Sequence, residues 1–164
     1  MTPLLSLCPV GPDEFGRVSH IQVAPEQVKF AGTVALAFQM AEKDVDFHAI
    51  CRDGHAVGFF KIDRAYARVH WFAREGELGL RAFLIDRASQ GQGIATAAVR
   101  ALGPYLVRHY PGTDSVVLTV NMANPAAIIC YRRSGFVETG QVYEGGGAGP
   151  QHVMRMELGG QIMA

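Results

Sequence analysis

The spacing of apolar side chains along the chain predicts three helices. In the segment 25–44 they recur at the intervals of one helix face, at Val28, Ala31, Val34, Ala35, Phe38 and Ala41. Pro25 suits the first turn, because an amide at that position has no helical partner to lose. We therefore predict one long helix over 25–44, a second from Ile94 to about Arg108, and a short third helix within 124–136.

Alternating or continuous apolar runs predict the strands of a sheet. Asp53-Gly54 is a two-residue hairpin signal that divides the segment 46–63 into two strands. Alternation predicts a further strand over 66–73. The remaining strands are predicted over 76–86, 114–121, 136–144 and 151–158. This order of elements indicates an α/β fold with a mixed central β-sheet flanked by helices.

Size, composition and charge narrow the class of protein. The chain has 164 residues, of which 49% are apolar and 18% charged, as is typical of one folded domain with a sizeable core. We therefore predict a single domain over 1–164. Lys and Arg together number 15, and so do Asp and Glu. A chain with balanced charge has no overall basic field, so no nucleic-acid partner is expected.

The sequence predicts neither a membrane span nor a metal site. No apolar run approaches the ~20 residues that cross a bilayer, and the first ten residues lack the positive charge of a signal peptide. Cys8, Cys51 and Cys130 are odd in number and lack metal-ligand spacing. Such cysteines are typical of free thiols in a reducing compartment, so a cytoplasmic location is predicted.

Two glycines, Gly91 and Gly93, stand where the second helix is about to begin. A helix N-terminus carries unpaired amides and a partial positive charge, so a glycine loop there can hold a phosphate. A nucleoside triphosphate loop needs Lys and Ser or Thr where Ile94-Ala95 stand, and a dinucleotide fingerprint needs a third glycine at Thr96. A plain strand–turn–helix corner remains the alternative.

A resemblance to a known family favours the phosphate-binding interpretation. The segment "QGQGIA" at 90–95 resembles the acyl-CoA-binding pattern of the GNAT acetyltransferase superfamily, which is Gln or Arg, two residues, Gly, one residue, then Gly or Ala. The run 80–86 resembles the fourth strand of that family, and 117–136 resembles its next block. The resemblance covers about 78–140 and implies a single-domain GNAT fold, an acetyl-CoA-dependent N-acetyltransferase and a cofactor-binding core at 78–140. Its finer likeness is to the bacterial spermine/spermidine acetyltransferases.

The resemblance also implies roles for particular residues. Backbone groups of Leu84 and Ile85 would pair with the pantetheine arm of acetyl-CoA. Asn124 would reach that arm from the opposite helix, small Ala127 would leave room for it, and Tyr131 would act as general acid beside the sulfur. The pyrophosphate would bind the backbone amides of Gln90, Gly91, Gln92, Gly93, Ile94, Ala95 and Thr96.

The spacing of Asn124, Ala127 and Tyr131, at i, i+3 and i+7, places them on one face of a helix. A packed core aromatic is the alternative for Tyr131. No general base is evident, and the candidates are His70, Glu75, Glu77 and Asp86.

The acceptor is predicted to be the primary amine of a small molecule, with a polyamine as the best single example. Its acidic surroundings would have to come from local carboxylates, of which we name Asp44, Asp46, Glu75 and Glu77. The alternatives are a protein or peptide amine, or a non-catalytic CoA-binding module. A homodimer is possible through the closing strand 151–158.

Overall fold

Seven strands form one sheet in a computed structural model that describes residues 5–159. The strands are β1 (Leu5–Val10), β2 (Val45–Arg52), β3 (His55–Asp63), β4 (Leu78–Ile85), β5 (Ser115–Asn121), β6 (Val137–Tyr143) and β7 (Gln151–Glu157). Their order across the sheet is β1-β2-β3-β4-β5-β7-β6. Neighbours run antiparallel except β4 and β5, which are parallel. The predicted mixed sheet is confirmed.

Helices cover both faces of this sheet. They are α1 (Val28–Ala31), α2 (Val34–Gln39), α3 (Ile94–His109) and α4 (Pro125–Arg133). Phe59 and Phe60 are neighbours in β3 and belong to two different buried clusters, because successive side chains of a strand point to opposite faces. The first cluster includes the buried side of α3, and the second includes that of α2. The α/β fold class is therefore confirmed.

The two central strands separate soon after they meet. β4 and β5 pair only at Leu78↔Val116 and Gly79↔Val117. Beyond Gly79, β4 remains bonded to β3 alone, through pairs such as Phe59↔Leu84 and Gly58↔Ile85. The side of β4 that faces β5 is left without a strand partner, and the gap between the two strands becomes a cleft.

The predicted long helix over 25–44 is wrong. The chain forms a short 3₁₀ turn, then α1, and begins a new helix at Val34. Gly32 ends α1 with a positive φ of 72°, a conformation that glycine adopts without penalty. Thr33 then caps α2, since its side chain accepts a hydrogen bond from the Leu36 amide at 3.1 Å. Apolar spacing alone did not reveal this break.

The predicted strand over 66–73 is also wrong. Tyr66–Arg68 is a 3₁₀ turn, and β3 pairs directly with β4. The large side chains Val69 and Trp71 are 77% and 69% exposed, so the alternation there does not mark a buried face.

The ends of the sheet differ from expectation as well. β1 was not predicted, and it forms one edge beside β2. β7 is bonded on both sides, to β5 and to β6, so it cannot offer the free edge that we had expected for a homodimer. β6 is the edge strand on the opposite side of the sheet from β1. Within residues 5–159, no helix is long and apolar enough to cross a membrane.

Candidate active site

The gap between β4 and β5 opens into two adjoining clefts. The narrow cleft, of about 280 Å³, is lined by Leu84, Ile85, Gln90, Ala95 and Cys130, among others. The wide cleft, of about 450 Å³, lies toward β5 and the loop before β7. Six residues line both clefts, and they are Phe30, Ala31, Phe83, Asn124, Ala127 and Tyr131. The two clefts therefore meet at the face of α4 that the sequence spacing predicted.

The glycine loop turns the chain from β4 into α3. Gly91 and Gly93 both have φ of 77°, and Gly93 is the residue at which α3 is capped. A Cβ added at either position would meet no atom within 4 Å, so backbone conformation and not space requires glycine there. The first helical hydrogen bond runs from the Ala97 amide to the Gly93 carbonyl, at 3.1 Å. The amides of Ile94, Ala95 and Thr96 precede it and are available to an anion.

Side chains brace this loop from two directions. The Gln90 amide group donates to the carbonyl of Ile85 at 3.0 Å and also to the side chain of Gln27 at 3.0 Å. From the β2–β3 hairpin, the Arg52 guanidinium donates a hydrogen bond to the side-chain oxygen of Gln92. The loop is thus tied to the end of β4 and carries a cation at its edge.

A bulge shapes β4 where it lines the wide cleft. Ala82 has a φ of 53°, and the β3–β4 register shifts between Phe59 and Lys61. A positive φ is rare and strained for a residue with a Cβ, and bulges redirect side chains near functional sites. The bulge lies three residues before Ile85, in the part of β4 that has left β5.

Helix α4 presents the three predicted residues to the clefts. Asn124 caps the helix, since its side-chain oxygen accepts from the Ala127 amide at 3.4 Å, and Pro125 is the first helical residue. Tyr131 is 9% exposed and packs edge-on against Phe83. Burial raises the pKa of Tyr131 well above its ordinary value, and Cys130 acts in the same direction.

The Tyr131 hydroxyl is a free hydrogen-bonding group. Among the residues that the structure describes, none exchanges a hydrogen bond with it. Its raised pKa keeps the hydroxyl protonated at neutral pH, and it is therefore a donor at the junction of the two clefts.

An ion-pair cluster lies on one wall of the wide cleft. The Arg81 guanidinium is 3.1 Å from Asp63 Oδ2 and 3.1 Å from Glu42 Oε2. Lys61 Nζ lies 3.7 Å from Glu42 Oε2. Burial acts to raise the pKa of Glu42, but Arg81 and Lys61 outweigh it and hold that pKa below its ordinary value. Both carboxylates are therefore already paired with a cation.

Of the four base candidates, which all belong to the described chain, His70 alone lines the wide cleft. Its ring lies 4.1 Å from that of Tyr66 and 5.4 Å from that of Tyr143, measured between centroids. Its Nδ1 is buried without a hydrogen-bond partner. Burial lowers the pKa of His70, Arg81 lowers it further, and Asp63 offsets part of this. The imidazole is therefore neutral at pH 7 and able to accept a proton.

Two of the other candidates have structural partners. Glu77 is buried and bonds to Arg155 at 2.6 Å and to the Ser115 hydroxyl at 2.6 Å. Asp86 accepts from the Gln22 amide at 3.0 Å. The exposed Glu75 does not line the cleft.

The carboxylates proposed to make the site acidic lie elsewhere. None of Asp44, Asp46, Glu75 and Glu77, all within the described chain, lines the wide cleft. Asp44 and Asp46 both pair with Arg64, which does not line the wide cleft either. The expected acidic field is therefore corrected, because long-range folding brings Glu42 and Asp63 to the cleft in their place.

Comparison with known proteins settles the family. The model of the acetyltransferase (GNAT) family matches residues 16–136, well over half of the chain. This protein belongs to the GNAT acetyltransferase family. The predicted enzyme class and the acetyl-CoA co-substrate are thereby confirmed. Among proteins of curated function, none matches the sequence significantly.

Solved structures share the GNAT fold. The aminoglycoside acetyltransferase AAC(6')-Ib, in complex with coenzyme A and kanamycin, is 22% identical with a TM-score of 0.74, over 94% of this chain and 95% of that one. A chimera of the spermidine N-acetyltransferase SpeG from Vibrio cholerae and hSSAT is 14% identical with a TM-score of 0.71, over 98% of this chain and 99% of that one.

The residues of this GNAT protein fit acetyl-CoA. The free side of β4 at Leu84 and Ile85 suits an extended, amide-containing arm, and the amides at the start of α3 suit a diphosphate. Seven of the predicted cofactor-binding residues line the narrow cleft: Leu84, Ile85, Gln90, Ala95, Asn124, Ala127 and Tyr131. Gly91, Gln92, Gly93, Ile94 and Thr96 form the adjoining loop and first turn. Within residues 5–159, no group of three His, Cys, Asp or Glu could hold a metal ion.

Several residues of the site were not predicted from the sequence. Arg81 and Asp63 line the wide cleft from β4 and β3, and Arg52 reaches the glycine loop from β2. The partners of all three are distant along the chain. Gly147 and Ala148, in the glycine-rich loop before β7, line the wide cleft, and the Ala148 carbonyl accepts from Asn121 at 2.9 Å. No local sequence signal marks these contacts, because each depends on strand pairing.

Proposed function

We propose that this protein transfers the acetyl group of acetyl-CoA to the primary amine of a small molecule. The observation that carries the proposal is the position of Tyr131, whose side chain lines both the narrow and the wide cleft. A co-substrate in one cleft and an acceptor in the other would meet at its hydroxyl. The neighbours of similar fold support a small amine, since they are an aminoglycoside acetyltransferase and a spermidine N-acetyltransferase chimera.

The narrow cleft is the proposed co-substrate site, within a core at 78–140 of one domain over 1–164. Leu84 and Ile85 would pair with the pantetheine arm through their backbone, and Asn124 would approach it from α4. The amides of 90–96 would hold the pyrophosphate. Ala127 would leave room for the arm, because a larger side chain would fill the point at which the clefts join.

Two side chains are proposed to move protons. Bound acetyl-CoA supplies an activated acetyl group and a thiol leaving group. Tyr131 would donate a hydrogen bond to the developing thiolate. Its raised pKa favours donation over full proton transfer. His70 would accept the proton that the acceptor ammonium must lose, directly or through water.

Thiol release from acetyl-CoA in the presence of a panel of amines tests the proposal. Primary amines of small molecules should give release, and each product should carry one acetyl group. Release only with peptides would favour a protein or peptide acetyltransferase. Coenzyme A binding, seen as heat or a thermal shift, without release would indicate a non-catalytic module.

The cellular setting is part of the proposal. The three cysteines are free thiols, which supports a cytoplasmic location. Neither a nucleic acid nor a membrane is proposed as a partner. A homodimer, if formed through sheet pairing, would use the edge strand β6, where Val137 is exposed. The sequence favours a polyamine as the acceptor, and the charges in the wide cleft bear directly on that preference.

A further inference from the structure

The cations and carboxylates that line the wide cleft are equal in number, and Lys61, which pairs with Glu42, adds one further positive charge beside it. Two are cations, Lys29 and Arg81, and two are carboxylates, Glu42 and Asp63. Arg81 lies between both carboxylates, at 3.1 Å from each, and Lys61 approaches Glu42 from the side. Asp63 also accepts from the Ala65 amide at 2.9 Å. Each carboxylate is therefore engaged before any ligand enters.

Lys29 adds a positive charge at the rim. It is exposed, its Nζ lies 5.0 Å from the centre of the Phe30 ring, and within residues 5–159 it forms no ion pair. The remaining polar lining is neutral and includes Thr119, Asn121 and Gln151. A second ammonium group in this cleft would have no free carboxylate to meet, and it would be repelled because Arg81, Lys61 and Lys29 together exceed the charge of Glu42 and Asp63.

We propose that the acceptor is a monoamine, with one primary amine and a neutral or anionic remainder, and that polyamines are poor acceptors. This inference rests on the proposed function, since it concerns the second substrate of the same site. It reverses the sequence-based preference for a polyamine, whose acidic field was expected from carboxylates that lie outside the cleft.

The same charges assist the reaction. An amine attacks only after it has lost its ammonium proton, and a positive surrounding favours the uncharged form. The amine nitrogen then bonds to the acetyl carbon as the carbon–sulfur bond breaks. Each turnover converts one ammonium and one thioester into one amide and one thiol, and one proton is released. A cleft lined by free carboxylates would hold the ammonium in its charged form.

Three amines with five carbons each differ only in the group at the end remote from the reacting amine: pentylamine, 5-aminopentanoate and 1,5-diaminopentane. Each is measured as an acceptor, and as a competitor of the best acceptor in a wider panel that includes spermidine. We expect kcat/KM, or affinity as a competitor, to be about tenfold higher for the two monoamines than for the diamine. A preference for the diamine or for spermidine would overturn the inference while leaving the proposed function intact.

Variants of the charged residues test whether the charges of the cleft cause the preference for monoamines. Arg81→Gln removes the cation from Asp63 and leaves Glu42 with Lys61 alone, so the diamine should gain about tenfold relative to 5-aminopentanoate. Arg64→Gln is the matched control, since Arg64 pairs with Asp44 and Asp46 outside the cleft, and it should leave the ratio unchanged. Where Arg81→Gln does not fold, the exposed Lys29→Gln decides, with a smaller gain in the same direction. An unchanged ratio in the folded variants contradicts the electrostatic cause.

A failure of the proposed function itself looks different. In that case the wild-type protein releases no thiol with any amine of the panel.

Discussion

Arg52 and Gln92, forty residues apart, are joined by a hydrogen bond between the guanidinium and the side-chain amide oxygen. The bond ties the end of β2 to the loop that begins α3. Arg52 is half-buried, and no carboxylate within residues 5–159 forms an ion pair with it. The family pattern has either Gln or Arg at the position of Gln90, and this chain has the uncharged residue. The hairpin therefore brings to this loop a cation that the motif itself does not contain.

Arg52→Gln should weaken co-substrate binding. Loss of a cation near a diphosphate and of a brace on the loop should raise KM for acetyl-CoA about three- to tenfold, with little change in kcat. The measurement is steady-state kinetics at two salt concentrations, and the wild-type protein should show the steeper salt dependence. The control is Arg108→Gln, an exposed residue near the end of α3. Equal KM values for the two variants would contradict the role of Arg52.

Tyr131→Phe should lower kcat about tenfold or more and leave acetyl-CoA binding nearly unchanged. The change removes one hydroxyl and keeps the ring that packs on Phe83. Turnover and calorimetric affinity for coenzyme A are the two measurements. Tyr110→Phe removes a hydroxyl that donates to Asp46 outside the clefts, and it serves as control. A wild-type kcat in Tyr131→Phe would leave Tyr131 as a packed aromatic.

His70→Gln should lower kcat at pH 7 and flatten the acid limb of the pH profile. Burial and Arg81 hold the pKa of His70 below 6.5, although Asp63 acts in the opposite direction. The wild-type ring is therefore neutral at pH 7, and it becomes protonated, and so unable to act as a base, only at lower pH. Activity should therefore fall as the pH drops below about 6.5. The exposed His109→Gln is the control. An identical acid limb in His70→Gln would exclude His70 as the base.

Glu77→Gln should destabilise the fold by about 3 kcal/mol at pH 7, because it leaves the Arg155 guanidinium without its buried partner. Burial would raise the pKa of Glu77, but bonds from Arg155, Ser115 and the Arg74 amide lower it below 4.5. Because the pKa of Glu77 is lower in the folded than in the unfolded chain, ionised Glu77 stabilises the fold at any pH above the unfolded pKa. This stabilisation is lost as the pH falls through the folded pKa.

Urea unfolding of wild type and Glu77→Gln should accordingly differ most at pH 7 and less at about pH 3.5. The exposed Arg74–Glu157 pair provides the control, and Glu157→Gln should cost less than about 1 kcal/mol. A constant difference between wild type and Glu77→Gln at both pH values would show that Glu77 titrates normally.

Some local errors were avoidable from the sequence. Gly32 followed by Thr33 is a helix stop and a helix start, and both signals are legible in the chain. The apolar spacing continues across these two residues with the same period, and it therefore predicts one continuous helix. Alternation misled in the same way at Val69 and Trp71, whose side chains are exposed.

The sequence by itself determined the elements whose cause is local. Asn124-Pro125 begins α4, Asp53-Gly54 turns the hairpin, and Gly91 and Gly93 take the positive φ that the loop before α3 requires. In each case the residue's own side chain, or the lack of one, restricts its backbone or caps its neighbours. The spacing of Asn124, Ala127 and Tyr131 likewise placed them on one face before their surroundings were known.

Only the tertiary structure decided what faces that helix. The divergence of β4 from β5, the bulge at Ala82 and the pairing of Arg81 with Glu42 and Asp63 all depend on strand register. Register is set by packing across the whole sheet, and residues that become neighbours there are far apart in the chain. The charged residues show this dependence most clearly, because whether a carboxylate is free or ion-paired depends on which side chains the tertiary structure places beside it.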